Sequence, residues 1–155
     1  MADAPRLFQA PLRVALGSDH AGVPLKDSLK ALLERLHATA TDLGTNSAAS
    51  VDYPDFAHAV SRGIAEKRFD AGILVCGTGV GMSIAANRHR EIRAALCTDP
   101  YTARMTRLHN DANVLCLGAR VIGAGLAQEI VEAFLTTSFE GGRHAGRVTK
   151  LNPSL

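Results

Sequence analysis

At 155 residues the chain is read as one domain, long enough to bury a single sizeable core. It is 46% hydrophobic and 21% charged, and its formal net charge of +2 is too small to imply a polyanionic partner. Arg88, Arg90 and Arg93 form a local basic cluster with no aromatic residue interleaved, so nucleic-acid binding is not expected. No apolar run reaches the length of a signal peptide or a membrane span, so a cytoplasmic location and no membrane partner are expected.

Residues 1–11, with Asp3 and two prolines, read as a flexible arm, and residues 12–155 as the single domain. Residues 13–17 are predicted as the first strand, with a turn at 18–22 that carries Asp19 and His20 at its carboxyl end. Such a pair serves either as a cap and a loop residue or as part of a site. Pro24 suits the first position of a helix whose Leu25, Leu29, Leu32, Leu33 and Leu36 recur on one face. Residues 39–43 form a short second strand, followed by a polar loop ending in Asp52-Tyr53-Pro54. Phe56, Val60 and Ile64 then mark the buried stripe of a second helix.

The central stretch runs from Gly72 to Asn87. An apolar run at 73–75 reads as a buried parallel strand and Met82 to Asn87 as the first turns of a helix, with Gly77, Gly79 and Gly81 between them. Glycines there allow positive φ, and their N–H groups can converge on an anion or oxyanion at the helix start. Cys76 ends the strand just before this cradle, so a thiol stands beside an oxyanion hole. A phosphate-binding P-loop would need a lysine that does not follow here, and the dinucleotide fingerprint would need glycine where Met82 stands.

Residues 92–98 are predicted as a fourth strand, with Asp99 as cap and Pro100 as the first residue of a helix that ends near His109. Residues 113–117 give the fifth strand, and Leu126, Ile130, Val131 and Phe134 line the next helix. Regular alternation through five units implies a three-layer α/β/α, Rossmann-like fold with a five-stranded parallel sheet and a C-terminal helical extension. In that extension Arg143 and Arg147 stand four apart, as a phosphate clamp on one helix face or as an ordinary solvated basic face. Cys76, Cys97 and Cys116 are an odd set without Cys-x-x-Cys spacing. Free thiols are expected, with neither a disulfide framework nor a metal site.

Six stretches, Gly17-Ser-Asp-His-Ala-Gly22, Asp52-Tyr-Pro54, Cys76-Gly-Thr-Gly-Val-Gly81, His109-Asn-Asp111, Gly118-Ala-Arg120 and Gly141-Gly-Arg-His-Ala-Gly-Arg147, stand in an order and spacing that resembles the type B ribose-5-phosphate isomerase family. That family also includes the subunits of galactose-6-phosphate isomerase. The resemblance implies an aldose–ketose isomerase of a phosphorylated sugar, working without metal or organic cofactor through a cis-enediolate. Cys76 would be the base, since thiols beside helix N-termini titrate nearer neutrality than free cysteine. The N–H groups of Gly77, Thr78, Gly79, Val80 and Gly81 would hold the enediolate oxygen. His109 would move the proton that opens the ring. Asp19 would bind sugar hydroxyls and assist proton transfer, with Tyr53 and Thr78 completing the pocket. By the same resemblance His20, Asn110, Arg120, Arg143 and Arg147 would bind phosphate or sugar.

One branch of the family carries a glutamate base just after the glycine loop. Met82 stands there in this chain and Cys76 is present, which resembles the cysteine branch. Val23 and Asn46 occupy positions where members often carry an aromatic residue, so the sugar's length stays open. Ribose 5-phosphate with ribulose 5-phosphate is the expected pair. Alternatives are allose or galactose 6-phosphate, a tetrulose phosphate, or a non-catalytic sugar-phosphate-binding subunit. Topology adds a further expectation: a helix ending at His109 returns to the amino edge of the sheet, away from Cys76, so both could serve one sugar only across a homodimer, or a larger assembly of dimers, with composite sites.

Overall fold

The computed structural model describes residues 11–153. The arm expected at 1–11 therefore lies outside the described residues apart from Pro11, as do residues 154 and 155.

Among the described residues five strands, β1 (Leu12–Ser18), β2 (Ala38–Asp42), β3 (Ala71–Cys76), β4 (Ala94–Leu96) and β5 (Val114–Gly118), form one parallel sheet in the order β2-β1-β3-β5-β4. Six helices connect or follow them: α1 (Val23–Arg35), α2 (Tyr53–Ala65), α3 (Val80–Ala86), α4 (Pro100–Asn110), α5 (Ala124–Thr136) and α6 (Arg143–Thr149). The expected α/β/α architecture with a helical C-terminal extension is the observed one.

All six residues of β3 are buried, as a central parallel strand covered on both faces requires. Ile73 and Val75 face a core shared with leucines of α1 and with Ile130, Val131 and Phe134 of α5. Leu74 and Cys76 face the opposite core, with Val60 and Ile64 of α2 and Met82 of α3. Leu126, expected on the buried line of α5, is instead 39% exposed in the first turn of the helix, whose buried positions start at the next residue, Ala127, and continue at Ile130, Val131 and Phe134. β4 is shorter than the seven-residue run suggested, since it is an edge strand that pairs with β5 alone.

The chain leaves β1 toward β2 and returns across it to β3, then passes beyond the place of β5 to β4 and comes back. The strand order thus reverses on both sides of β3, which opens crevices at the carboxyl ends of β1, β3 and β5. Cys76 stands between them.

One buried charge fixes the loop beside this crevice. Lys26 of α1 is fully buried, and its Nζ donates to Asp42 Oδ1 at 2.7 Å, Thr45 O at 2.6 Å and Asn46 Oδ1 at 2.9 Å. Lys30 Nζ pairs with the other Asp42 oxygen at 2.8 Å. Burial by itself would raise the Asp42 carboxyl, but hydrogen bonds from Lys26, Lys30 and the Gly44 N–H outweigh it and hold it below the usual aspartate range. Asp42→Ala leaves the Lys26 ammonium buried without its counter-charge and should cost about 3 kcal/mol, read as a lower urea midpoint. Because the folded carboxyl titrates below the unfolded one, its contribution is complete above about pH 4 and is lost as pH falls through the lowered value. Asp42→Asn should therefore flatten the acid limb of the stability curve, and an unchanged limb would show that the pair contributes nothing.

Candidate active site

The turn after β3 is shaped by contacts that leave no room for side chains. Gly79 has φ of +78°, and a Cβ there would stand 2.6 Å from Leu96 Cδ1 and 2.9 Å from the Leu117 carbonyl carbon. The left-handed glycine swings its own N–H back, so that it donates to Cys76 Sγ at 3.1 Å. An N–H aimed at sulfur stabilises negative charge on it. Cys76 is 5% exposed, at the end of a strand whose partner β5 continues the pairing past it through Ala119 N to Cys76 O at 2.9 Å and Arg120 N to Gly77 O at 3.0 Å.

Two larger side chains flank the loop. The Tyr53 ring lies against Gly81, where a Cβ would meet Tyr53 Cε2 and Cζ at 2.7 Å. Arg120 lies over Gly77, its guanidinium nitrogen 3.2 Å from where a Cβ would be. Thr78 and Val80 are exposed at the rim, with the Val80 N–H directed at Thr78 Oγ1 at 3.4 Å.

Asp19 and His20 follow β1 on the neighbouring side of the crevice, and the Asp19 N–H donates to Val75 O at 3.2 Å. Asp19 does cap: its Oδ1 accepts from Ala21 N at 3.0 Å and Gly22 N at 3.2 Å, starting the single 3-10 turn His20–Gly22. Both bonds fall on Oδ1, so Oδ2 stays available as an acceptor. His20 Nδ1 accepts from Val51 N at 3.3 Å. In the neutral ring the proton then sits on Nε2, which is left as a donor for an anion.

The other two thiols are unsuited to base chemistry. Burial first, and then the charge of Asp99, pushes the Cys97 thiol up to about 12, and burial raises the Cys116 thiol as well. All three cysteines are free and buried.

The remaining site residues gather elsewhere. His109 and Asn110 end α4, whose C-terminus sits at the amino edge of the sheet: Arg93, which leads into β4, donates from Nε to Asp111 O at 2.7 Å. The eleven residues of α4 rise about 16 Å away from the carboxyl edge where Cys76 lies. Beside them, α6 brings Arg147, and together His109, Asn110, His144, Arg147, Val148 and Leu151 line a cavity of about 260 Å³. Arg143 and Arg147 are both exposed on α6, as a clamp facing outward requires. One chain therefore holds two separate groups of expected site residues, Asp19, His20, Tyr53, Cys76 to Gly81 and Arg120 at one edge, and His109, Asn110, Arg143 and Arg147 at the other.

Sequence reasoning missed two members of the second group. His144 is buried and its ring stacks on that of His109, with centroids 4.3 Å apart and planes 12° apart. Glu140 Oε2 lies 3.6 Å from His144 Nε2 and 4.0 Å from His109 Nε2. The available signal was the Glu140–His144 spacing, one helical turn, hidden by the glycines between them. Among the described residues these three have ligand atoms within 4.8 Å of one another, the one group with metal-ligand composition. Imidazole lone pairs lie in the ring plane, however, and two nearly parallel stacked rings do not aim theirs at a common point.

The family described as Ribose/Galactose Isomerase matches residues 14–151. Ribose-5-phosphate isomerase B of Escherichia coli is 48% identical over 136 residues, 88% of this chain and 91% of that protein. D-erythrulose-4-phosphate isomerase of Pectobacterium atrosepticum is 43% identical, over 90% of this chain and 93% of that protein. A crystal structure of ribose 5-phosphate isomerase RpiB from Thermotoga maritima superposes with a TM-score of 0.88 at 52% identity, covering 90% of this chain and 97% of that one. The chain belongs to the ribose/galactose isomerase family.

The glycines of the loop should differ in cost. At Gly79 a Cβ meets backbone in a left-handed residue, so Gly79→Ala should lose about 2–5 kcal/mol of stability. At Gly81 the three nearest atoms all belong to the half-exposed Tyr53 ring, which can swing aside, so Gly81→Ala should lose under about 1.5 kcal/mol. Urea unfolding of both variants compares them, and equal losses would contradict the packing described for Gly79.

Proposed function

We propose that the chain interconverts ribose 5-phosphate and ribulose 5-phosphate through a cis-enediolate, with Cys76 as the base. The observation that carries this reading is the Gly79 N–H on Cys76 Sγ at 3.1 Å, inside a loop flanked by Tyr53 and Arg120. The Cys76 thiolate takes the proton from C2 of the open-chain aldose. The electron pair of that C–H bond forms the C1–C2 double bond, and charge develops on O1. N–H groups of the Gly77–Gly81 loop stabilise this oxyanion. The thiol then returns the proton to C1 while the O2 proton passes to O1, which gives the ketose. Asp19 Oδ2 and Thr78 hold sugar hydroxyls. His20 through Nε2, together with Arg120, Arg143 and Arg147, neutralises the phosphate.

His109 opens the furanose ring, and Asn110 holds it. Because α4 carries them to the opposite sheet edge from Cys76, both groups reach one sugar only if two chains share the site. The proposed unit is a homodimer in which Cys76 of one chain faces His109, Asn110 and the α6 arginines of the other. The tetrulose-phosphate isomerase among the relatives favours a four-carbon phosphate as the second reading. A coupled assay across four-, five- and six-carbon sugar phosphates separates the two by kcat/KM.

Cys76→Ala should lower kcat by about 10²–10⁴-fold while substrate affinity changes little, since a general base acts on the transition state. Near-parental turnover would remove Cys76 from the mechanism. The shared site predicts complementation. Unfolding and refolding Cys76→Ala together with His109→Ala, each nearly inactive alone, gives mixed dimers with one intact site and one doubly deficient site. Random pairing should restore about a quarter of parental activity. Mixed dimers that form and stay inactive would rule out composite sites.

A further inference from the structure

His109 has a side chain that needs external support. Its second torsion is a broad, two-fold rotor, and its side chain is 40% exposed at the end of a helix. A proton-transfer group held loosely spends little time in productive geometry, and a displacement of about 1 Å can cost about a hundredfold in rate. Two neighbours limit the ring. The parallel stack of His144 at 4.3 Å fixes the plane of the His109 imidazole, which leaves two orientations related by a flip. Glu140 then distinguishes them, because its Oε2 faces the Nε2 edge of both rings, at 4.0 Å for His109 and 3.6 Å for His144.

His144 is well placed to act as a fixed plate. It is 5% exposed, and α6 is tied to this region by the His144 N–H donating to Gly141 O at 2.9 Å and the Glu140 N–H donating to Leu108 O at 3.1 Å. Its Nε2 faces Arg143 Nε at 3.4 Å, so it acts as an acceptor there. Burial first, and then the neighbouring His109, lower its pKa from the ordinary histidine value; Glu140 opposes them, and Arg143 and Arg147 add weaker lowering effects. A neutral ring stacks on His109 without charge repulsion. His144 also lies between Arg143 and Arg147 in sequence, so the same contact sets His109 in register with the arginine pair.

We propose that His144 and Glu140 are positioning residues for His109, the stacked ring setting its plane and the carboxylate its flip. This rests on the reading of His109 as the ring-opening group. Steady-state kinetics of the full-length enzyme with ribose 5-phosphate test it in four variants. His144→Ala should lower kcat about tenfold or more with KM within about threefold, and His144→Phe, which keeps a flat ring, should recover kcat to within about threefold of the parent. Glu140→Gln should lower kcat by about threefold or more at unchanged KM. An unchanged kcat in His144→Ala, a loss carried by KM, or a phenylalanine variant as poor as the alanine one would each overturn the proposal. If His144→Ala does not fold, Glu140→Gln decides, and parental kcat there would overturn it. His109→Ala is the control: near-parental activity in that variant would overturn the underlying reading of His109, whereas an inactive His109→Ala beside a fully active His144→Ala would overturn the positioning role alone.

Discussion

Thr78 and Gly79 lie directly on Leu117 and Gly118, backbone against backbone. A Cβ on Gly118 would stand 2.7 Å from Thr78 O, and one on Gly79 would stand 2.9 Å from the Leu117 carbonyl carbon. This contact closes the turn after β3 onto the end of β5. The turn therefore cannot relax outward, and the Gly79 N–H stays on Cys76 Sγ. The same closure sets Ala119 and Arg120 in continued pairing with Cys76 and Gly77, which lays the Arg120 side chain over the loop. A close approach that only glycine permits thus supports the thiol, the glycine loop and the Arg120 side chain together.

The parallel sheet imposes the other main constraint. Each helix carries the chain back from the carboxyl edge to the amino edge, so a residue at a strand end and one at the end of the following helix are separated by the full thickness of the unit. His109 and Asn110 are at a helix end, and Cys76 and Asp19 are at strand ends. A single chain with this connectivity presents two groups of candidate site residues at opposite edges of the sheet. The cavity beside His109 has two histidines and an arginine but no thiol, while the crevice beside Cys76 has a thiol and a single arginine. Each has what the other lacks.

Elements with a strong local signature were legible in the sequence. The leucine spacing of α1, Asp99-Pro100 at the start of α4 and the glycine loop after β3 were all read from residues a few positions apart, and the structure has each of them. Asp99 caps as expected, accepting from the Thr102 N–H at 2.7 Å. What sequence did not reveal depends on contacts between distant segments. The extent of β4 is set by having one neighbour rather than two, and the exposure of Leu126 by where α5 meets the sheet. The Gly141–Arg147 stretch drew attention to its arginines, while the meaning of His144 depends on α6 packing against α4. Lys26, an ordinary surface residue by type, is fully buried because Asp42, Thr45 and Asn46 converge on it.

The three cysteines show how depth along a strand separates chemistry from packing. Cys76 and Cys116 lie on adjacent strands and share the core under α2 and α3. Cys76 pairs in register with Gly118, and Cys116 with Leu74, so Cys116 lies two residues further in, about 6.6 Å by strand rise. At that depth no loop N–H reaches the sulfur, and burial raises its thiol. Cys97, just past the short edge strand on the other side of the sheet, is likewise held protonated by burial. Only at the strand end, where the chain turns back through a left-handed glycine, does a backbone dipole meet a thiol at the opening of a crevice. Placing Cys76 two residues earlier would make it another core thiol. The reactivity proposed for it therefore derives from the register between β3 and β5 and from the glycines that close the turn.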